Sequence, residues 1–126
     1  MKIVINTCYG GFSLSHTGMK AYYERRGIQL YAFSSTEPHQ RLTDEEASGE
    51  LLVFYCSSPM FTEESFVSSR VIKRDDPDLV AVIEELKEAA NVIYSKLSVV
   101  EVPDNIEWEI EEHDGLERVA EKHKIW

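Results

Sequence analysis

A short apolar segment that runs into two glycines and then into a helix start is the feature that most constrains the fold of this chain. Residues 2–8 contain three consecutive β-branched apolar residues and are predicted to form a central strand. The Gly10-Gly11 pair ends that strand, and Ser15 is placed to cap a helix that runs to about Arg26, with Gly27 just beyond its end. Backbone N–H groups at such a helix start favour anions, so this region is the first candidate for a binding site.

Composition and charge bound the kinds of protein that this sequence can be. Its 126 residues are 43% hydrophobic, which is enough for the core of a single domain spanning residues 1–126. The net charge of −10 disfavours binding to a nucleic acid polymer, which requires a basic face. Because the sequence contains no long apolar run, we predict no membrane partner. Cys8 and Cys56 are predicted to be free thiols of a cytoplasmic protein, and a disulfide between them is the less favoured alternative.

The remaining segments predict an α+β fold. Asp76, Pro77 and Asp78 begin the clearest helix, whose end is predicted at Asn91 in the left-handed conformation. Loops are predicted at residues 34–49, the segment expected to be most mobile, and at residues 57–65. Further strands are predicted at residues 28–33, 51–56, 66–72, 97–102 and 106–110, and a short helix or tail at residues 116–125. This order indicates a small α+β domain with a mixed or antiparallel sheet of five to six strands, two main helices and a C-terminal helix or tail.

The turn after the first strand carries most of the candidate ligand-binding residues. Its glycines would let a phosphate or a planar ring approach the backbone, Tyr9 could stack on a base, and Phe12 could form a wall of the pocket. The candidate residues here are Asn6, Tyr9, Gly10, Gly11 and Phe12. A purely structural strand-to-helix turn that packs two aromatic rings explains the same pattern equally well.

Basic residues at two other places are candidates for binding phosphate. Arg70 and Arg74, with Lys73 between them, precede the predicted Asp76 cap, so a basic cluster lies beside a second helix start. A salt bridge from Arg74 to Asp75, Asp76 or Asp78 is the alternative, and the two interpretations are compatible. Arg118 is the third candidate, as a contact to a phosphate or to a protein partner.

The sequence predicts no catalytic residue, metal site or cofactor. Cys8 lacks an adjacent histidine and the spacing of a tyrosine phosphatase, so a structural thiol is favoured. The group His113, Asp114, Glu117, Arg118 and His123 has no tight metal-ligand spacing, and Glu117 is assigned to a solvated helix face. Alternation places Ile106, Trp108 and Ile110 on one strand face and Glu107, Glu109 and Glu111 on the other, which explains the glutamates without a glycosidase pair.

Three motifs give the chain a resemblance to a family of small phage and prophage proteins. The first is N-x-C-Y-G-G-F-x-L-S at residues 6–15, and the second is R-x-D-P-x-L-V at residues 74–80. The third covers the C-terminal residues 102–126, which begin with V-P-D and contain D-G-x-E. The family is similar to phage anti-defence sponges that counter the Thoeris system by sequestering cyclic ADP-ribose-type or other cyclic nucleotide signals. The resemblance implies a non-enzymatic homo-oligomer in the cytoplasm of the infected bacterial host, and it assigns no binding residue.

The function predicted from these observations is sequestration of a small phosphorylated ligand of the cyclic nucleotide class. Aromatic stacking from Tyr9 or Phe12 and hydrogen bonds from Arg74 and Arg118 would hold that ligand. One alternative is an acidic modulator whose surface binds a basic host protein. Separately, the tail could pack against a second subunit and bury Trp126. A second alternative is a small hydrolase that depends on Cys8 or His113.

Overall fold

The computed structural model describes residues 1–50, 52–92 and 95–122. Within these ranges the chain forms eight β-strands, three α-helices and two short 3-10 turns, which confirms the predicted α+β class. The strands are β1 (Lys2–Asn6), β2 (Tyr31–Ser34), β3 (Arg41–Leu42), β4 (Val53–Cys56), β5 (Phe66–Val67), β6 (Leu97–Glu101), β7 (Trp108–His113) and β8 (Leu116–Glu121). The helices are α1 (His16–Arg25), α2 (Asp44–Gly49) and α3 (Pro77–Leu86), and the 3-10 turns are Ser69–Val71 and Lys87–Ala90.

All strand pairs in the described ranges are antiparallel, and they are divided among three sheets. The N-terminal strand β1 pairs with β6, a four-stranded sheet has the order β3-β2-β4-β5, and β7 and β8 form a separate hairpin. The predicted strands therefore exist, although they are distributed over several small sheets. No helix in the described part of the chain is both long and apolar enough to cross a membrane.

The main hydrophobic core lies between the sheets and helices α1 and α3. Ile3 and Val4 of β1 are fully buried, although β1 pairs with β6 alone in the described residues. The prediction of a central strand is therefore wrong, and the burial comes from packing of the helices and the other sheets on β1. Leu79 and Val82 face the same core from α3, and Met19 reaches it from α1. This packing fixes the position of the turn that follows β1.

Helix α1 begins and ends as its sequence predicts. The Ser15 side chain accepts a hydrogen bond from the backbone N–H of Gly18 at 3.1 Å, and Leu14 and Met19 on either side of this cap are both buried. Gly27 follows the helix with φ +75°, a conformation that favours glycine.

Helix α3 begins as predicted but ends earlier. Asp76 caps it by accepting a hydrogen bond from the N–H of Asp78, and Pro77 takes the first helical position. The helix stops at Leu86, where Lys87 adopts φ +53°, and a 3-10 turn continues to Ala90. The prediction that Asn91 ends the helix in the left-handed conformation is wrong, because its φ is −86°. Its side chain instead accepts a hydrogen bond from the N–H of Leu97.

The segment predicted as a long loop contains secondary structure. Residues 34–49 include β3 and helix α2, which begins with a complete capping box: Thr43 accepts from the N–H of Glu46, and Glu46 accepts from the N–H of Thr43. This S/T-x-x-E spacing was the local signal for the helix. The strand predicted at residues 66–72 is also shorter, because β5 ends at Val67 and a 3-10 turn follows.

The C-terminal segment is a strand, so the prediction of a helix or tail at residues 116–125 is wrong for its described part. Asp114 and Gly115 have φ of +51° and +87°, and this pair of positive values is the geometry of a two-residue hairpin turn. An Asp-Gly pair after an alternating strand therefore makes the chain reverse and pair with β7. Ile125, Trp126 and the candidate His123 lie outside the described residues, as does Leu51 of the strand predicted at residues 51–56.

The second face of the four-stranded sheet carries its own aromatic cluster. Phe33 and Phe54 are paired across β2 and β4 and share this face, and His39 and Phe61 stack over it with ring centroids 4.4 Å apart. Cys56, fully buried, lies on the same face. Both Cys8 and Cys56 are free thiols, as predicted.

Helix α2 is attached to α1 through a polar cluster. The His16 ring is hydrogen-bonded to the Tyr55 hydroxyl at 3.1 Å and to the Asp44 carboxylate at 2.9 Å, and Lys20 also contacts Asp44. The hydrogen bond with His16, followed by that from Lys20, holds the pKa of the Asp44 carboxyl below its ordinary value. Asp44 is therefore stabilising while it is ionised.

The cluster predicts a pH dependence of stability at its acidic end. Because the pKa of Asp44 is lowered on folding, its contribution is present above the unfolded pKa and is lost as the pH falls through the folded value, below about pH 4. We expect Asp44→Asn to flatten the dependence of the melting temperature on pH between about pH 2 and pH 4. Thermal melts of Asp44→Asn and of Glu45→Gln, an exposed neighbour on α2, measure this. An unchanged acid slope in Asp44→Asn would contradict the assignment.

Candidate functional site

Asn6 lies at the centre of the junction between β1, β6 and the β7–β8 hairpin. Its side chain is fully buried, and its Nδ2 donates to the carbonyls of Cys8 at 2.6 Å and Gly115 at 2.7 Å. Its Oδ1 accepts from the backbone N–H groups of Lys96 at 2.9 Å and Cys8 at 3.3 Å. Asn6 therefore uses its amide to join three segments of the chain, a role that fixes the turn rather than one that contacts a ligand.

Arg74 and Glu117 form a two-pronged ion pair beneath this turn. The Arg74 guanidinium donates to both carboxylate oxygens of Glu117, at 2.5 and 2.8 Å, and the N–H of Asn6 donates to the same carboxylate at 2.8 Å. The Glu117 side chain is only 5% exposed and that of Arg74 is 21% exposed. The assignment of Glu117 to a solvated helix face is therefore wrong, because the hairpin turns its side chain inward to meet Arg74.

Phe12 covers the ion pair. The centre of the Arg74 guanidinium lies 3.7 Å from the centroid of the Phe12 ring, which is within the range of a cation–π contact. Arg74 also accepts a hydrogen bond through its backbone carbonyl from Val4 of β1 at 2.8 Å. The partner of Arg74 is thus Glu117, and the predicted pairing with Asp75, Asp76 or Asp78 is replaced by this longer-range contact.

Gly115 brings the hairpin turn into direct contact with the turn after β1. A Cβ placed on Gly115 would lie 2.5 Å from both the carbonyl oxygen of Tyr9 and the nitrogen of Gly11. No side chain fits in that gap, and Gly115 also requires φ +87°. The two turns therefore hold each other in place through their backbones.

Tyr9 and Gly10 are exposed at this junction, and Gly11, which follows them, is half-buried. The Tyr9 side chain is 68% exposed, and Gly10 is exposed as well. Gly11 has φ +87°, and a Cβ added there would meet nothing within 4 Å, so there is open space beside its backbone. These three residues, and not Asn6 or Arg74, are the part of the predicted site that an approaching molecule would meet.

The other two predicted arginines are on the surface. Arg70 is exposed in the 3-10 turn Ser69–Val71. Arg118 follows Glu117 on β8, so its side chain points to the opposite face of the hairpin from the buried ion pair. Arg118 is 76% exposed and donates to Glu111 at 2.8 Å, which raises its pKa further. Arg74 and Arg118 thus face different sides of the hairpin.

The candidate catalytic residues of the hydrolase alternative lie on two different turns of this junction. Cys8 is half-buried in the turn, and its N–H donates to Asn6. His113 is 88% exposed and lies 3.4 Å from Asp114 at the tip of the hairpin. Among the described residues, which exclude His123, no group of three histidine, cysteine or acidic side chains is arranged to hold a metal ion.

Sequence reasoning missed two polar features, one in this junction and one elsewhere in the fold. The first is the burial of Glu117, for which the signal was available: Asp114-Gly115 is a hairpin turn, and alternation from Val119 places Glu117 on the same face as apolar residues. The second is the cluster of His16, Asp44 and Tyr55, whose members come from three separate elements and carry no local signal.

Searches of protein-family models, curated proteins and solved structures found no match to this chain.

Proposed function

We propose that this protein is a phage-encoded binding protein that sequesters a small phosphorylated ligand of the cyclic nucleotide class without changing it chemically. The observation that supports this best is the exposed aromatic ring of Tyr9, on a turn whose backbone is held in place by its contact with Gly115. A rigid aromatic ring loses little conformational freedom when a base stacks on it, and such stacking contributes about 1–3 kcal/mol per base.

The surrounding residues have distinct parts in this proposal. Gly11 has open space beside its backbone for a ring or a phosphate, and Gly10 next to it is exposed. Asn6 and the Arg74–Glu117 pair act as positioning residues that hold the turn. The exposed charge for a phosphate comes from Arg118, which is three residues, or about 10 Å of strand, from the Gly115 contact. Arg70 offers a second exposed guanidinium, and a homo-oligomer would bring further copies of these groups to a shared site.

The test is native mass spectrometry of the protein mixed with a panel of cyclic nucleotides and ADP-ribose isomers, followed by denaturation and identification of the released compound. We expect an intact nucleotide to be released from a stoichiometric complex. Tyr9→Ala is expected to lower the affinity for the ligand by about tenfold to a hundredfold, because it removes the ring on which one base stacks. Met60→Ala is the matched control, because Met60 is 71% exposed and lies outside this junction.

The outcomes of this experiment test the binding site, the proposed function and the ligand class separately. Unchanged affinity in Tyr9→Ala, with ligand still bound, would overturn the site while leaving sequestration intact. Release of a chemically altered compound would point to an enzyme and overturn the proposed function. Failure of every compound in the panel to bind would overturn the ligand class.

A further inference from the structure

We propose that strand β7 binds an extended basic segment of a protein partner, which adds to the β7–β8 hairpin as a third antiparallel or parallel strand. This inference does not depend on the ligand site at Tyr9. It follows from three properties of the hairpin: an unpaired strand edge, a half-covered apolar stripe, and a strong excess of acidic side chains.

Each strand of the hairpin has one edge without a strand partner in the described residues, but β8 also packs against β1, so the freer edge is that of β7. In residues 1–50, 52–92 and 95–122, β7 pairs with β8 alone, and it does so over all six residues of Trp108–His113. By contrast, the edge strands β3 and β5 of the four-stranded sheet have two residues each. A long edge presents a row of backbone N–H and C=O groups to which another chain can pair.

The apolar stripe runs along one face of the hairpin. Ile110 is paired directly with Val119, and Trp108 lies two residues before Ile110 on the same face. All three side chains are half-buried, and none belongs to the hydrophobic core formed by the described residues. An added strand with apolar residues at alternate positions would extend this stripe.

The negative charge of the hairpin favours a partner segment that carries basic side chains. Residues 107–122 contain seven acidic and two basic side chains. Glu109 and Glu111 project from the face opposite the apolar stripe and are exposed. Arg118 pairs with Glu111, whereas Glu109 is opposite Ala120. Lysine or arginine at the matching positions of an added strand would form favourable cross-strand pairs. A second copy of β7 would instead place glutamate against glutamate, which disfavours self-pairing.

The experiment uses the whole protein and a synthetic peptide of alternating lysine and valine, eight residues long, with blocked ends. Titration calorimetry at low ionic strength measures its affinity, and amide hydrogen exchange reports whether β7 becomes protected. Glu109→Gln combined with Glu111→Gln is expected to weaken binding about tenfold, from the loss of two cross-strand charge pairs. The control is Glu63→Gln combined with Glu64→Gln, which removes the same charge from two exposed residues of another loop and is expected to leave the affinity unchanged.

A second peptide separates strand addition from simple charge attraction. The same sequence with N-methyl groups at alternate residues keeps its charge but cannot pair along one edge, and it is expected to lose binding and β7 protection together. Equal affinity of the two peptides, or equal weakening in both double variants, would overturn the proposal. Absence of binding would also overturn it and would mean that the glutamates serve to keep this edge unpaired. Sedimentation showing self-association that becomes stronger in the Glu109/Glu111 variant, where the repulsion between glutamates is removed, would assign the edge to a second copy instead.

Discussion

Glu117→Gln is expected to lower the free energy of unfolding by about 3 kcal/mol, because it leaves the Arg74 guanidinium largely buried without its counter-charge. Glutamine keeps an oxygen that can accept from the N–H of Asn6, so the substitution removes the negative charge without removing this hydrogen bond. For a domain of this size the loss corresponds to about a 10 °C decrease in melting temperature. Thermal and urea unfolding of the two proteins measure it.

The hairpin supplies a matched control for this substitution. Glu111→Gln removes a carboxylate that also contacts an arginine at 2.8 Å, but that pair, Glu111 with Arg118, is exposed. We expect a change below about 0.5 kcal/mol there. A double-mutant cycle with Arg74→Gln is expected to give a coupling energy of at least about 1 kcal/mol between positions 74 and 117. Equal effects of the two glutamate substitutions would show that burial does not distinguish these ion pairs.

Gly115→Ala is expected to destabilise the protein by about 3 kcal/mol or more. A methyl group there would meet backbone atoms of Tyr9 and Gly11 at 2.5 Å, which only a shift of one turn can relieve, and overpacking of this kind costs about 1–3 kcal/mol. The left-handed backbone adds about 1 kcal/mol for any residue with a Cβ. Separation of the two turns would also break the hydrogen bond from Asn6 to Gly115. Urea unfolding measures the sum.

Gly11→Ala separates the conformational part of that cost from the steric part. Gly11 has the same φ of +87°, but its added Cβ would meet nothing within 4 Å. We therefore expect it to cost only about 1 kcal/mol, the conformational part alone. If Gly11→Ala destabilised the protein as much as Gly115→Ala, the close contact between the turns would not be the cause.

Residues of the three sequence motifs come together in this junction. Asn6 belongs to the first motif, Arg74 begins the second, and Gly115 and Glu117 lie in the third. The structure joins all four through hydrogen bonds and the buried ion pair. A large part of these motifs thus encodes how β1 and the hairpin are held together, which leaves the exposed Tyr9 and its glycines as the part open to a ligand.

The sequence by itself determined the local structure, because the signals for it lie within a few residues of each other. The cap at Ser15, the Asp76-Pro77 helix start and the alternation of Trp108 and Ile110 with glutamates were all predicted and confirmed. The α+β class followed from them. Helix α2 and strand β8 carried equally local signals, which the sequence-based predictions did not use.

Only the tertiary structure decided which polar residues face inward and which remain available. Arg74 and Glu117 are 43 residues apart, and Asn6 and Gly115 are 109 residues apart. Composition and spacing cannot distinguish a phosphate-binding arginine from one paired with a distant carboxylate, because each residue carries the same charge in both cases. The distinction arises from burial: once the hairpin packs against β1, the charge of Arg74 must be compensated within the protein, and Glu117 is the group that the fold places there.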